Sequence, residues 1–386
     1  MAHFDDHQAT QYAYGEMFNY DFAKVDLPGR EYFDNVDDHS PFVEGVTARA
    51  CSLGYQTDAD LIDFLLKLCK DAGVALSRQT LTNWISKGAP ASGESGRENV
   101  YKLCFALKMN AEQTAEFFLK AYFERPFNYK NLHEAIYFFC LNTGLTYADA
   151  TRIIEKVESM QVIENPAAQS ITQEIGATLQ SLHTEDELVA FLQQNRSGFA
   201  VQNKTATDRI KRLLEECYRL ATQLEEKKVS NVDELLDAIY GYNARATFGQ
   251  KDADGKSIST PVYKKSISKS AFPELIKRNW PDRERFAQIL NKKTASYDVI
   301  RKALIMLRFY YFFATLECRK LSVMDRHDEF VDAMDMDLDE CGYIQLYWRN
   351  PYDWMFGYCS CADNPLRELK GLIQEYYLDD ETIYNA

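Results

Sequence analysis

Apolar residues recur along much of this chain at the three- and four-residue spacing of a buried helix face, and that rhythm predicts most of its elements. Leu61, Ile62, Leu65, Leu66, Leu68 and Cys69 follow it, with Thr57 and Asp58 as candidate N-caps, and predict a helix over about 59–72 that stops at Gly73. Amphipathic segments come next at about 77–86, 97–108, 111–123, 131–143 and 147–160, separated by Gly88, Pro90, Gly93, Gly96, Pro126 and Gly144. After a break at Asn165-Pro166 the pattern resumes over 171–182 and 186–194, then enters a long helix over about 206–228. Along that helix Ala206, Ile210, Leu213, Cys217, Leu220 and Leu224 step by alternating fours and threes. The seam is short, so packing within the chain is expected, with an oligomer contact as the alternative. Two further helices are predicted at 281–291 and 297–316.

Other stretches break the rhythm. Residues 1–56 are rich in Phe, Tyr and Asp without sustained periodicity, punctuated by Pro28-Gly29 and Ser40-Pro41, and read as an extended aromatic and acidic arm. Asp254-Gly255 lies between Ala246-Thr247-Phe248 and Ser257-Ile258-Ser259, which predicts a short β-hairpin; the Lys- and Ser-rich stretch over 264–270 reads as an exposed loop. The expected fold is mainly α and multi-helical: a helix-turn-helix-like bundle followed by a second helical domain carrying a small β-hairpin. The expected division is an arm over 1–56, a helical domain over 57–164, a connector with the long amphipathic helix over 165–244, and a basic loop plus C-terminal helical domain over 245–386.

Composition fits this reading: of 386 residues 46% are hydrophobic and 26% charged, enough apolar material for two or three cores. The longest apolar run, Ala303–Leu316, contains Arg308 and is shorter than the roughly 20 residues of a bilayer span, so a core helix and no membrane partner are expected. No basic-then-apolar leader occurs over residues 1–20, and the nine cysteines are irregularly spaced inside helical patterns. A cytoplasmic protein with reduced, buried thiols is the expectation.

Charge changes the picture more. The net value of −14 opposes nucleic acid if spread evenly. It is not spread evenly: between Arg245 and Lys302 fourteen basic residues face six acidic ones, a local +8 that leaves −22 for the rest. Within this window Lys264, Lys265 and Lys269 are candidate phosphate contacts, and Asn279, Trp280, Arg283 and Arg285 a candidate aromatic and guanidinium surface; Trp280 before Pro281 also fits a core anchor. Eight carboxylates crowd 325–340 and read as a solvated face or a contact for the basic window of the same or another copy.

One block carries a resemblance. The residues Leu65-Leu66-Lys67-Leu68-Cys69-Lys70-Asp71-Ala72-Gly73-Val74, then Ser77-Arg78-Gln79-Thr80-Leu81-Thr82-Asn83-Trp84-Ile85, then Gly88-Ala89-Pro90, read as helix, turn, helix and stop. They resemble the helix-turn-helix of Cro and Xre repressors, with Tyr101–Glu112 similar to the supporting helices that follow, over about residues 58–117. The stretch after Gly73 is about two residues longer than the family's tight turn. The resemblance implies that the second helix enters the DNA major groove with Ser77, Arg78, Gln79, Thr80, Thr82 and Asn83 outward and Lys87 at its end, while Leu81, Trp84 and Ile85 hold it to the core. Arg, Gln and Asn can make paired hydrogen bonds to base edges, and hydroxyls or amides at a helix start bind phosphate.

Other chemistries lack their motifs. Asp335, Asp337 and Asp339 superficially match a calcium loop, but Gly342 stands at the eighth position instead of the sixth. Cys359-Ser360-Cys361 has no second ligand pair for zinc. No phosphate-binding loop, dinucleotide fingerprint, nucleophile elbow or zinc-protease motif is present, and His133, Glu134, Cys140 and His183 fit packing or surface positions. The expectation is a non-enzymatic, cofactor-free, sequence-specific DNA-binding regulator, with a homodimer or protein partner engaged through the C-terminal half. The alternative is a helical scaffold that binds protein through its aromatic C-terminal region around Tyr347–Phe356.

Overall fold

A computed structural model describes residues 41–88, 90, 94–161, 172–196, 199, 204–241, 272–291, 295–315, 318–348 and 350–377. Among them the protein is mainly α-helical and no strand occurs; the hairpin predicted around Asp254-Gly255 lies outside the described residues. The chain divides into two compact units, one ending at Lys204 and the other beginning at Thr205.

The first unit holds α1 (Pro41–Ser52), α2 (Leu61–Asp71), α3 (Arg78–Lys87), α4 (Glu94–Ala106), α5 (Ala111–Phe117), a π-turn over Phe118–Tyr122, α6 (Leu132–Thr143), α7 (Tyr147–Ser159), α8 (Thr172–Ser181) and α9 (Glu185–Gln194). Residues 1–40 of the expected extended arm lie outside the described residues; over Pro41–Ser52 the helix α1 corrects that reading. Pro41 starts it instead of marking a turn, because a first-turn proline lacks only an amide that would be unpaired anyway. Phe42, Val46 and Ala50 are buried, and at Gly45 the helix comes so close to the π-turn that a Cβ would stand 2.8 Å from that of Ala121. In the core of this unit α6 packs on α5, α7, α8 and α9.

Arg97 ties the middle of the unit together. Its guanidinium donates to Glu134 at 2.7 and 2.8 Å, to Glu124 at 3.0 Å and to the Arg125 carbonyl at 2.7 Å. Glu134 also accepts from the Tyr101 hydroxyl and the Asn128 amide. Burial alone would raise the Glu134 carboxyl, but the Arg97 charge and these hydrogen bonds outweigh it and hold the group below the usual carboxylate range.

The second unit comprises α10 (Lys204–Leu224), α11 (Val232–Tyr240), α12 (Glu274–Lys277), α13 (Arg283–Leu290), α14 (Tyr297–Ala314), a 3-10 turn at Cys318–Lys320, α15 (Val323–Glu340), α16 (Pro351–Ser360) and α17 (Pro365–Tyr377). The seam of α10 is core: Ala206, Ile210, Leu213, Cys217 and Leu220 are buried in its own unit, and only Leu224 at its end is exposed. At the centre lies α14, fourteen of whose eighteen residues are buried, with α13, α15, α16 and α17 packed around it. No helix is long and apolar enough to cross a membrane among the described residues.

Candidate nucleic-acid interface

The helix α2 is bounded by local chemistry. The Asp60 carboxylate caps it by accepting from the amides of Ile62 and Asp63 at 2.8 and 3.1 Å. At the other end Gly73 takes φ +67°, a left-handed backbone that costs glycine little. The Val74 amide returns to the Cys69 carbonyl and the Gly73 amide to that of Lys70, so the last carbonyls of α2 are satisfied as the chain reverses.

The two extra residues of the turn are absorbed without loss of packing. Val74 and Leu76 are both buried, Ala75 between them is exposed, and Ser77 then caps α3 by accepting from the Thr80 amide at 3.0 Å. Leu81 and Trp84 bury the opposite side of α3. The indole stands edge-on to Phe42 of α1, centroids 5.8 Å apart, and Phe42 in turn meets Phe117 and Tyr122. A polar helix is thus pinned from behind by α1, a helix that the sequence did not predict.

Arg78, Gln79, Asn83, Ser86 and Lys87 are exposed, whereas Thr80 and Thr82 are half-buried. Ser77 is exposed, yet its hydroxyl serves as the cap and lies 2.8 Å from that of Thr80, so both are taken up locally. The Gln79 amide donates to the Asn83 carbonyl oxygen at 2.8 Å, one turn on, which aligns two amide side chains on the exposed face. Arg78 pairs with Asp63 of α2. The sequence reading missed Asp63; it is the single acid between Asp60 and Asp71, but its reach to Arg78 depends on how two helices cross.

The basic window behaves differently. Lys264, Lys265 and Lys269 lie outside the described residues. Arg278, Asn279, Trp280, Arg301 and Lys302 are buried, which removes them from any surface band. Arg301 clamps Asp353 at 2.8 and 2.6 Å and donates to the carbonyls of Ile344 and Gln345. Lys302 donates to the Leu275 carbonyl at 3.2 Å and lies 3.8 Å from Asp298, its ammonium over the Tyr352 ring. Trp280 stacks near Phe272 and Tyr240 as a core anchor, not as a platform for bases. Arg283 remains exposed, beside Asp233, and Arg285 is half-buried against Gln288.

The acidic and aromatic C-terminal stretches are also sorted by packing. On α15, Asp325, Asp328, Glu329, Asp332, Asp339 and Glu340 are exposed, while Asp335 and Asp337 point into the core. Asp337 is met by Arg209 and by Arg308 at 2.7 Å. Asp335 accepts from the Leu346 amide at 2.8 Å, and burial pushes its carboxyl up to about 7. Tyr347, Trp348, Tyr352, Trp354 and Phe356 are buried, so the aromatic stretch is core and not the contact surface expected of a scaffold.

No protein-family model, curated protein or solved structure matches this chain. A half-open cavity of about 290 Å³ in the first unit is lined by Arg97, Glu98, Tyr101, Asn131, His133, Glu134 and Tyr137. Its buried polar groups hydrogen-bond one another, and His133 pairs with Glu158 at 2.9 Å. Cys140 is buried with its thiol pushed up to about 12 by desolvation, the reverse of what an activated nucleophile needs. His327 and Ser360 lie 2.6 Å apart, both buried, and the Ser360 hydroxyl donates to the Gly357 carbonyl, which suits a structural link inside the core.

Proposed function

We propose that this chain is a sequence-specific DNA-binding regulator, with α2 and α3 as its helix-turn-helix and α3 as the element that enters the major groove. The observation that carries the reading is the two-sided character of α3: Leu81 and Trp84 fix it to the core while Arg78, Gln79, Asn83 and Lys87 stand exposed on the other half. A helix held from behind presents its polar face without a reorganisation cost on binding. Guanidinium and amide groups can pair with base edges, and Lys87 can sit against a phosphate. Lys264, Lys265 and Lys269 are proposed as further phosphate contacts on the strength of their charge.

The test is binding to a randomised pool of duplex DNA across a salt series. Affinity falling steeply with salt, with enrichment of a defined motif, is the expected result; no affinity even in dilute salt would end the proposal. Gln79→Ala should flatten the sequence preference, and a Lys264→Ala, Lys265→Ala double variant should weaken all duplexes alike.

A second reading, a protein-binding scaffold, is favoured by the exposed face of α15. Six carboxylates share it with Met336, 64% exposed, and such a face suits a basic protein partner better than nucleic acid. Retention of a partner by the wild type but not by a variant with Asp325, Asp332 and Asp339 changed to Asn, in the absence of DNA binding, would favour it.

A further inference from the structure

The pairing of Asp63 with Arg78 adds a detail that rests on the DNA-binding reading of α3. Arg78 is the first residue of α3 and Asp63 lies in the first turn of α2, so the contact crosses the helix-turn-helix. Both side chains are more than half exposed, at 58% and 61%. One terminal nitrogen of the guanidinium is on the Asp63 carboxylate; the other nitrogens make no hydrogen bond among the described residues. An exposed ion pair of this kind contributes little to folding, because solvent screens it and two long side chains must be held still.

Its geometric effect is larger than its energetic one. A free arginine at the start of a helix samples many rotamers, and fixing it on binding costs entropy. A carboxylate holding one end of the planar fork leaves the remaining donors in a defined direction, as bidentate recognition of guanine O6 and N7 requires. The same carboxylate is a negative charge beside a phosphate backbone and opposes binding to DNA of any sequence. These two effects have opposite signs for specific and non-specific duplexes.

We infer that Asp63 is a positioning residue for DNA recognition: it holds Arg78 in the orientation that reads a guanine, at the expense of general affinity. The motif enriched by the wild type then contains a guanine whose replacement weakens binding about tenfold, and Arg78→Ala removes that discrimination. Asp63→Ala reduces it about threefold or more while strengthening binding to an unrelated duplex and steepening its salt dependence. Asp63→Glu restores most of the discrimination. In the Arg78→Ala background Asp63→Ala leaves base preference unchanged, which shows that the effect runs through Arg78.

A purely structural role would shift both duplexes the same way, so the opposed signs are the decisive readout. Full guanine discrimination in Asp63→Ala overturns the inference, as does a base preference that Arg78→Ala leaves intact; either result leaves DNA binding by α3 standing. Absence of duplex binding by the wild type overturns the functional reading itself and this inference with it.

Discussion

Two helices of this chain each carry a pair of basic residues, and the fold uses the two pairs in opposite ways. On α3, Arg78 and Lys87 reach solvent at the two ends of a short rod whose other face is apolar. On α14, Arg301 and Lys302 are buried within the second unit, where they hold the backbone of residues 344–345 and the end of α12. Local sequence does not separate the two cases by charge alone. What separates them is the neighbourhood: α14 is apolar on nearly all sides and must be central, so its cations need buried acceptors, whereas α3 buries one apolar stripe and leaves its other side exposed.

Replacing the buried partner should have the largest effect. Asp353→Ala leaves the Arg301 guanidinium desolvated and uncompensated, and a loss of about 3–5 kcal/mol in unfolding free energy is expected by denaturant titration. Trp84→Ala should cost about 3–5 kcal/mol by opening a cavity under α3, and should also abolish the proposed DNA binding although Trp84 itself is buried.

Asp335 offers a test of the buried acid environment with a defined sign. Its carboxyl titrates near 7 in the fold and near 3.9 when unfolded, so the folded state holds the extra proton between those values. Stability therefore falls as pH rises from about 4 to about 7, by at most about 4 kcal/mol. His327, whose ring is lowered by burial, imposes the opposite slope, losing stability as pH falls through its range. Subtracting the profile of Asp335→Asn from that of the wild type isolates the first effect; a flat difference would contradict it.

The smallest effect on folding belongs to α3. Arg78→Ala should change stability by under about 0.5 kcal/mol, because the residue is exposed and its ion pair screened. Its effect should appear instead in the proposed DNA binding. A stability loss comparable to that of Asp353→Ala would erase the distinction between the two helices.

Much of the helical layout was legible because periodicity, caps and glycine stops are local. The segment predicted over 59–72 is α2 at Leu61–Asp71, and that over 77–86 is α3 at Arg78–Lys87. Helices were missed where the local signal was ambiguous. Pro41 resembled a turn but starts a helix; the acidic run over 325–340 was read as a solvated face, which six of its carboxylates do form, but its buried stripe of Phe330, Val331, Met334 and Leu338, and with it the helix α15, was missed. The aromatic stretch of α16 is buried almost all round, so it shows no amphipathic period to read.

The linear order of residues was sufficient for the mainly helical architecture and for the α2 and α3 segments, since each depends on neighbours within a few turns. Which cations are available to a partner could not be read that way. Burial of Arg301 and Lys302, the pairing of Asp63 with Arg78 and the anchoring of Trp84 on Phe42 each join residues fourteen or more positions apart, and only the packing of helices against one another brings such groups together.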